Sequence, residues 1–126
     1  MTRVLLVGLV PETVDFSDPA LPPGMTAEKI HAGVAVAMRQ MADRGWDAAS
    51  FMFRAQTAAE ELRAHLDGQA YDCIVVGAGV RLPPRNLALL EQVINAVAAA
   101  APGVPIAFNT TPLDSAEAAA RWLPAG

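Results

Sequence analysis

Val4-Leu5-Leu6-Val7 is an unbroken apolar run stopped by Gly8, and Cys73-Ile74-Val75-Val76 is a second one that leads into Gly77-Ala78-Gly79-Val80-Arg81. Runs this short, apolar without alternation, suit strands covered on both faces. Two weaker segments read as outer strands. Trp46 to Phe53 carries Asp47 and Ser50, and Val104 to Phe108 contains Pro105, which cannot donate to a ladder and so belongs at a rim.

Between these runs the apolar period becomes helical. Thr26 is placed to cap a helix with Ile30, Val34, Met38 and Met41 facing inward, ended by Gly45. Thr57-Ala58-Ala59-Glu60 reads as a capping box before a helix that turns Leu62 and Leu66 inward. Pro83-Pro84 opens a long helix whose inward stripe is Leu87, Leu90, Ile94 and Val97. That helix bears a second stripe, Leu89, Val93, Ala96 and Ala100, more than one sheet is expected to cover. A short last helix is capped by Thr111 or Asp114, after which Trp122 and Leu123 are expected to close the chain against the body.

Strands alternating with helices predict a three-layer α/β/α sandwich with right-handed crossovers. Placing the two most apolar strands centrally gives a four-stranded parallel sheet of order 2-1-3-4. This element order resembles the flavodoxin-like arrangement without its fifth strand, a resemblance of fold that carries no function. The 126 residues form one domain with one core, and no repeat or linker divides them.

In such a sheet a ligand binds beyond the carboxyl ends of the strands, where the strand order reverses, here between the first and third. Gly8 to Asp18, Arg54 to Thr57, Gly77 to Arg85 and Asn109 to Asp114 gather at that end. His65, Asp67 and Asp72 fall at the opposite end, and His65, in the last turn of its helix, reads as a surface residue. The segment from Leu9 to Met25 has no regular period and carries Pro11, Pro19, Pro22 and Pro23. Its apolar anchors Val14, Phe16, Leu21 and Met25 suggest an ordered flap over the site or a purely structural wrap.

The candidate ligand contacts are Gly8, Arg54, Gly77, Gly79, Arg81, Arg85, Asn109 and Thr110. Gly77 and Gly79 suit a loop that approaches a ligand closely, or simply a tight turn. Arg54, Arg81 and Arg85 could clamp a phosphate or carboxylate; equally they could pair with Glu12, Asp15 or Asp18 and hold the flap shut. If there is a reaction, Glu12, Asp15 or His31 would be the acid or base, His31 reading otherwise as a partly buried structural histidine. Acids confined to one loop are a weak metal signal, so no metal site is assigned.

Known site patterns narrow the field. Gly77-Ala78-Gly79 lacks the third glycine of a dinucleotide fingerprint and follows the third strand instead of the first. The acids of a receiver domain, the cysteine loop of a low-molecular-weight phosphatase and the Asp-x-His-x-x-Gly of a cobalamin module have no counterpart. The long first loop with an arginine-bearing third loop is reminiscent of type II dehydroquinases, but their tyrosine–arginine lid and later histidine are absent.

The chain is 53% hydrophobic and 17% charged, with net charge −4 and no basic cluster, which gives no support to nucleic-acid binding. No apolar run reaches membrane-spanning length. The start of the chain lacks the pattern of a secretion signal, so a cytoplasmic protein is expected. Cys73, the single cysteine, reads as a buried core residue. The expectation is thus a cytoplasmic protein binding a small anionic molecule, cofactor unassigned, with or without catalysis. The alternative is a non-catalytic assembly protein, a homodimer or higher homo-oligomer joined through the second stripe of the long helix.

Overall fold

In the computed structural model, which describes residues 1–124, strands β1 (Arg3–Leu9), β2 (Asp47–Phe53), β3 (Cys73–Val76) and β4 (Ile106–Phe108) form one sheet. Every pair is parallel and the order is β2-β1-β3-β4, as the apolar runs predict. Helices α1 (Ala27–Asp43), α2 (Ala58–Leu66), α3 (Ala78–Arg81), α4 (Leu87–Ala100) and α5 (Ser115–Ala120) complete a three-layer flavodoxin-like α/β/α sandwich.

Strand alternation divides the core in two. Leu5, Val7, Ile74 and Val76 turn to one face, under Leu62 and Leu66 of α2, Val80 of α3 and Leu89, Val93 and Val97 of α4. Val4, Leu6, Cys73 and Val75 turn to the other, against Ala37 and Met41 of α1 and Ala116, Ala118 and Ala119 of α5. Both faces of β1 and β3 are therefore dry, which explains their continuous apolar character. Each such Val, Leu or Ile contributes about 1.5–3 kcal/mol on full burial. The α1/α5 layer is filled largely by alanines, so its helices lie close to the sheet.

Several local expectations need correction. The stretch after Gly77 is not an open loop but the single helical turn α3, and Gly77 keeps an ordinary φ of −67°. Gly77 serves close packing instead: a Cβ there would meet the Val7 carbonyl oxygen at 3.3 Å. Thr57 makes no capping box with Glu60. A 3-10 turn at Ala55–Thr57 precedes α2, so it is the Glu61 carboxylate that reaches back to the Arg54 N–H (3.0 Å) and the Thr57 hydroxyl (2.7 Å).

On α4 three residues of the second stripe, Leu89, Val93 and Ala96, are buried together with Val97 of the first, whereas Leu87 is exposed. Leu90 and Ile94 are partly buried against the same cluster. The helix packs on α2 as well as on the sheet, and the two together cover the wide apolar arc. Val93 is thus a core residue and cannot carry a subunit contact. Trp122 does not close the chain; it is 58% exposed, and Leu123 makes that contact instead.

The buried stripe of α1 is Gly33, Ala37 and Met41, with Ile30, Val34 and Met38 at its margins. Gly33 touches the turn that follows β4: a Cβ at this position would lie 3.0 Å from the Pro112 Cβ. We predict that Gly33→Val costs about 1–3 kcal/mol, read as a lower urea midpoint, because Pro112 cannot yield without moving the end of β4. An unchanged midpoint would show that this contact is loose. Val93→Glu should leave no folded protein by circular dichroism, since it places a charge in the core.

Candidate functional site

The carboxyl ends of β1 and β3 lie side by side, and the chain leaves them toward opposite faces. β1 leads through the flap to α1, while β3 turns into α3 on the other layer. The crevice between them holds a cavity of about 90 Å³. Gly8, Gly77 and Gly79 contribute backbone to its walls; Val14, Phe16, Leu21 and Met25 close it from the flap, and Met52 comes from β2. Among the described residues that line it, the polar ones are Asn109, Thr110 and Thr111, and none carries a charge.

The polar rim is built on Asn109, which is buried, as is Ser115. The Asn109 Oδ1 accepts the Ala78 N–H at 2.8 Å and so caps α3 from a different strand. Its Nδ2 donates to Ser115 Oγ at 2.9 Å, and Ser115 donates in turn to the Pro112 carbonyl at 2.7 Å. Arg81 Nη2 donates to the Asn109 carbonyl at 2.6 Å. One side chain and its peptide therefore tie β4, α3 and α5 together. Arg81 is spent on this junction. Its guanidinium lies 5.9 Å over the Phe108 ring, and its buried Nε has no hydrogen-bond partner.

Beside Asn109 the chain turns through Thr110 and Thr111 into a 3-10 turn at Pro112–Asp114. The Asp114 carboxylate accepts the Thr110 N–H at 2.9 Å and the Thr111 N–H at 3.1 Å, while Thr111 Oγ1 accepts the Leu113 N–H at 3.2 Å, a reciprocal capping box. Burial pushes the Asp114 carboxyl up, but the Thr110 hydroxyl and the two N–H groups together outweigh it and hold the group below its ordinary value. Of the two cap candidates, Thr111 caps the 3-10 turn and Asp114 completes the box.

The flap is ordered and fastened at several points. The Val10 N–H donates to the Phe53 carbonyl at 2.8 Å, and Lys29 Nζ donates to the Gly24 carbonyl at 2.8 Å. Glu12 pairs with His31 Nε2 at 2.8 Å, and that bond, then the backbone, holds its carboxyl below the usual range. Arg85 pairs with Asp15 at 3.2 Å and Asp18 at 3.4 Å. The Ser17 hydroxyl, the Ser17 N–H and Arg85, in that order, lower the Asp15 carboxyl.

The candidate residues therefore separate. Gly8, Gly77, Gly79, Asn109 and Thr110 line the apolar cavity. Asp15 and Arg85 line a second, polar cavity of about 120 Å³ together with Thr13, Gln56 and Asn86. Arg54, Arg81, Glu12 and His31 line neither. The three arginines do not converge: Arg81 braces β4, Arg85 faces the flap acids, and Arg54 is exposed at the start of the turn before α2. His31 is exposed, not partly buried, and meets Glu12 outside the cavity.

A scan of protein-family models finds no match to this chain, and a search of curated proteins finds no significant match either. Function has to be read from the site alone.

Sequence reasoning missed Gly33, Met52 and Ser115. The signal for Gly33 was present, since a glycine inside a helical period asks for a packing reason. Nothing in the spacing of Asn109 and Ser115 announces that the two side chains meet. Among the described residues, no group of three His, Cys, Asp or Glu could hold a metal ion. Glu12 turns to α1, while Asp15 and Asp18 turn to Arg85. Cys73, the first residue of β3, lies in the core, where burial pushes its thiol up to about 11.

Asp114 supplies a pH signature. Because its carboxyl is held low in the folded chain, its stabilising effect is present above its ordinary value of 3.8 and is lost as the pH falls below that value. Asp114→Ala should cost about 1 kcal/mol at neutral pH. The gap between variant and wild-type urea midpoints should narrow in acid. A gap that is constant with pH would show that the carboxylate does not act as the cap.

Proposed function

We propose that this protein binds a small anionic molecule at the crevice between β1 and β3, with an apolar part of the ligand beneath the flap. The apolar cavity at the strand-order reversal carries this reading, since it coincides with the place where open parallel sheets take ligands. The flap contributes five apolar residues to its lining, Val14, Phe16, Leu21, Pro22 and Met25.

Size limits the occupant. A volume of about 90 Å³ is well below the roughly 300–1,000 Å³ of sites for drug-sized ligands. It approaches the engineered apolar cavities of about 150 Å³ that admit benzene. A pocket of this size suits a ring or a short chain. Since no titratable side chain lines the cavity, the site favours binding over acid–base chemistry on the enclosed part of the ligand.

Self-association remains the rival reading, now without the α4 stripe that suggested it. Among the described residues its support is the exposure of Leu87 (64%) and Trp122 (58%) and the two outer strands β2 and β4.

Gly79 allows a selective test. It lines the cavity, and a Cβ at this position would meet nothing within 4 Å, so a larger side chain can be added there without displacing the frame. Benzene and toluene should raise the melting temperature of the wild type with increasing concentration. Gly79→Leu should abolish that rise while keeping stability within about 1 kcal/mol of wild type, because leucine suits a helical turn better than glycine. A wild type indifferent to both probes would remove the cavity as the site.

A further inference from the structure

The apolar cavity and the polar cavity share four lining residues: Leu9, Val14, Leu21 and Gly79. They are neighbours with a common wall, and two of the four wall residues belong to the flap. One side is closed by Phe16, Met25 and Met52; the other holds Arg85 with Asp15, Thr13, Gln56 and Asn86. We propose that the ligand is an amphipathic monocarboxylate, its tail in the apolar cavity and its carboxylate on Arg85, where Asp15 and Asp18 stand in for it when the site is empty. This rests on the cavity reading above and specifies the ligand and its gate.

The contacts of Arg85 fit a replaceable partner. Its Nη2 meets Asp15 and its Nε meets Asp18, two acids each offering one oxygen to the edge of the guanidinium that can hold a single carboxylate in bidentate fashion. The Arg85 side chain is 56% exposed and that of Asp15 47%, a setting in which ion pairs contribute little net stability, whereas Asp18 is only 10% exposed and is the firmer partner. Neither aspartate is orphaned by the exchange. Asp15 Oδ1 keeps the Ser17 N–H at 3.0 Å, and Asp18 Oδ1 keeps the Ala20 N–H at 2.9 Å.

The exchange is coupled to access. Asp15 and Asp18 lie on the same segment as Val14, Phe16 and Leu21, which cover the apolar cavity. Releasing the acids from Arg85 frees that segment between its fixed points, Val10 on Phe53 and Gly24 on Lys29. The local charge selects for a single negative group. One guanidinium faces two carboxylates that stay nearby, so a dianion such as phosphate would meet repulsion that a monocarboxylate feels less.

Hexanoate and 1-hexanol share a tail and differ in the head group. Calorimetric titration of both into the wild type, Arg85→Gln and the double variant Asp15→Asn/Asp18→Asn measures the preference for the carboxylate. We expect both probes to bind the wild type. The hexanoate-to-hexanol preference should fall about tenfold in Arg85→Gln and rise about tenfold in the double variant. If hexanol binds and the preference is unchanged in either variant, Arg85 is not the head-group site, and this inference fails while the cavity reading stands. If neither probe binds any of the three proteins, the cavity reading itself fails.

Discussion

The rest of the structure depends on the pairing of β1 with β3, because these two strands are buried on both faces and have no tolerable exposed side. Their backbone groups are satisfied within the sheet, and their side chains alternate between two layers that must both be supplied. Covering them requires α1 and α5 on one face and α2, α3 and α4 on the other. The chain must therefore leave β1 and β3 in opposite directions. A crevice at their carboxyl ends follows from that divergence, and its position needs no functional assumption.

Two glycines shape how closely the parts meet at this crevice. Gly77 lets the end of β3 lie against Val7 and Gly8 of β1, and Gly33 lets α1 reach Pro112. Asn109 then locks the far side by satisfying the first N–H of α3 and the hydroxyl of Ser115. A buried polar residue that leaves its neighbours unpaired is costly, whereas here the asparagine side chain has one donor contact and one acceptor contact. The frame of the site is accordingly rigid, in contrast to the flap above it. Exposed ion pairs and a few backbone bonds fasten the flap, and the apolar side chains under it do not fill the space they enclose.

The sheet was legible because its signal is local and strong. Val4 to Val7 and Cys73 to Val76 could only be central strands, and Asp47, Ser50 and Pro105 marked the edges. The flap and its apolar anchors were legible as well, since four prolines and the absence of a period excluded a helix or strand. The arginines were framed as clamp or latch; Arg85 pairs with the flap acids while Arg81 is spent on the Asn109 carbonyl, a difference that depends on orientation. Arg81 and Arg85 lie four residues apart, and α3 with the following 3-10 turn sends one to the β4 carbonyl and the other to the flap. The α4 stripes misled for a similar reason. Periodicity reports how wide an apolar arc is, not which neighbours share it, and α2 covers part of what one sheet could not.

The same distinction explains why polarity at the strand ends was a poor guide to the cavity. Polar residues concentrate there because strands end and turns begin, and most of them are used to build those turns: Asp114 for the capping box, Thr13 on the Val10 carbonyl, Glu61 before α2. What is left to face the enclosed space is the residue type that makes no local hydrogen bond. Glycine backbone and the apolar side chains of the flap satisfy that condition, so a site at the polar end of an α/β sheet can have apolar walls. Arg85 differs from Arg81 at this end because its partners sit on the covering segment itself. In the proposed binding mode, a charge on the frame answered from the cover would join recognition of the head group to access to the interior.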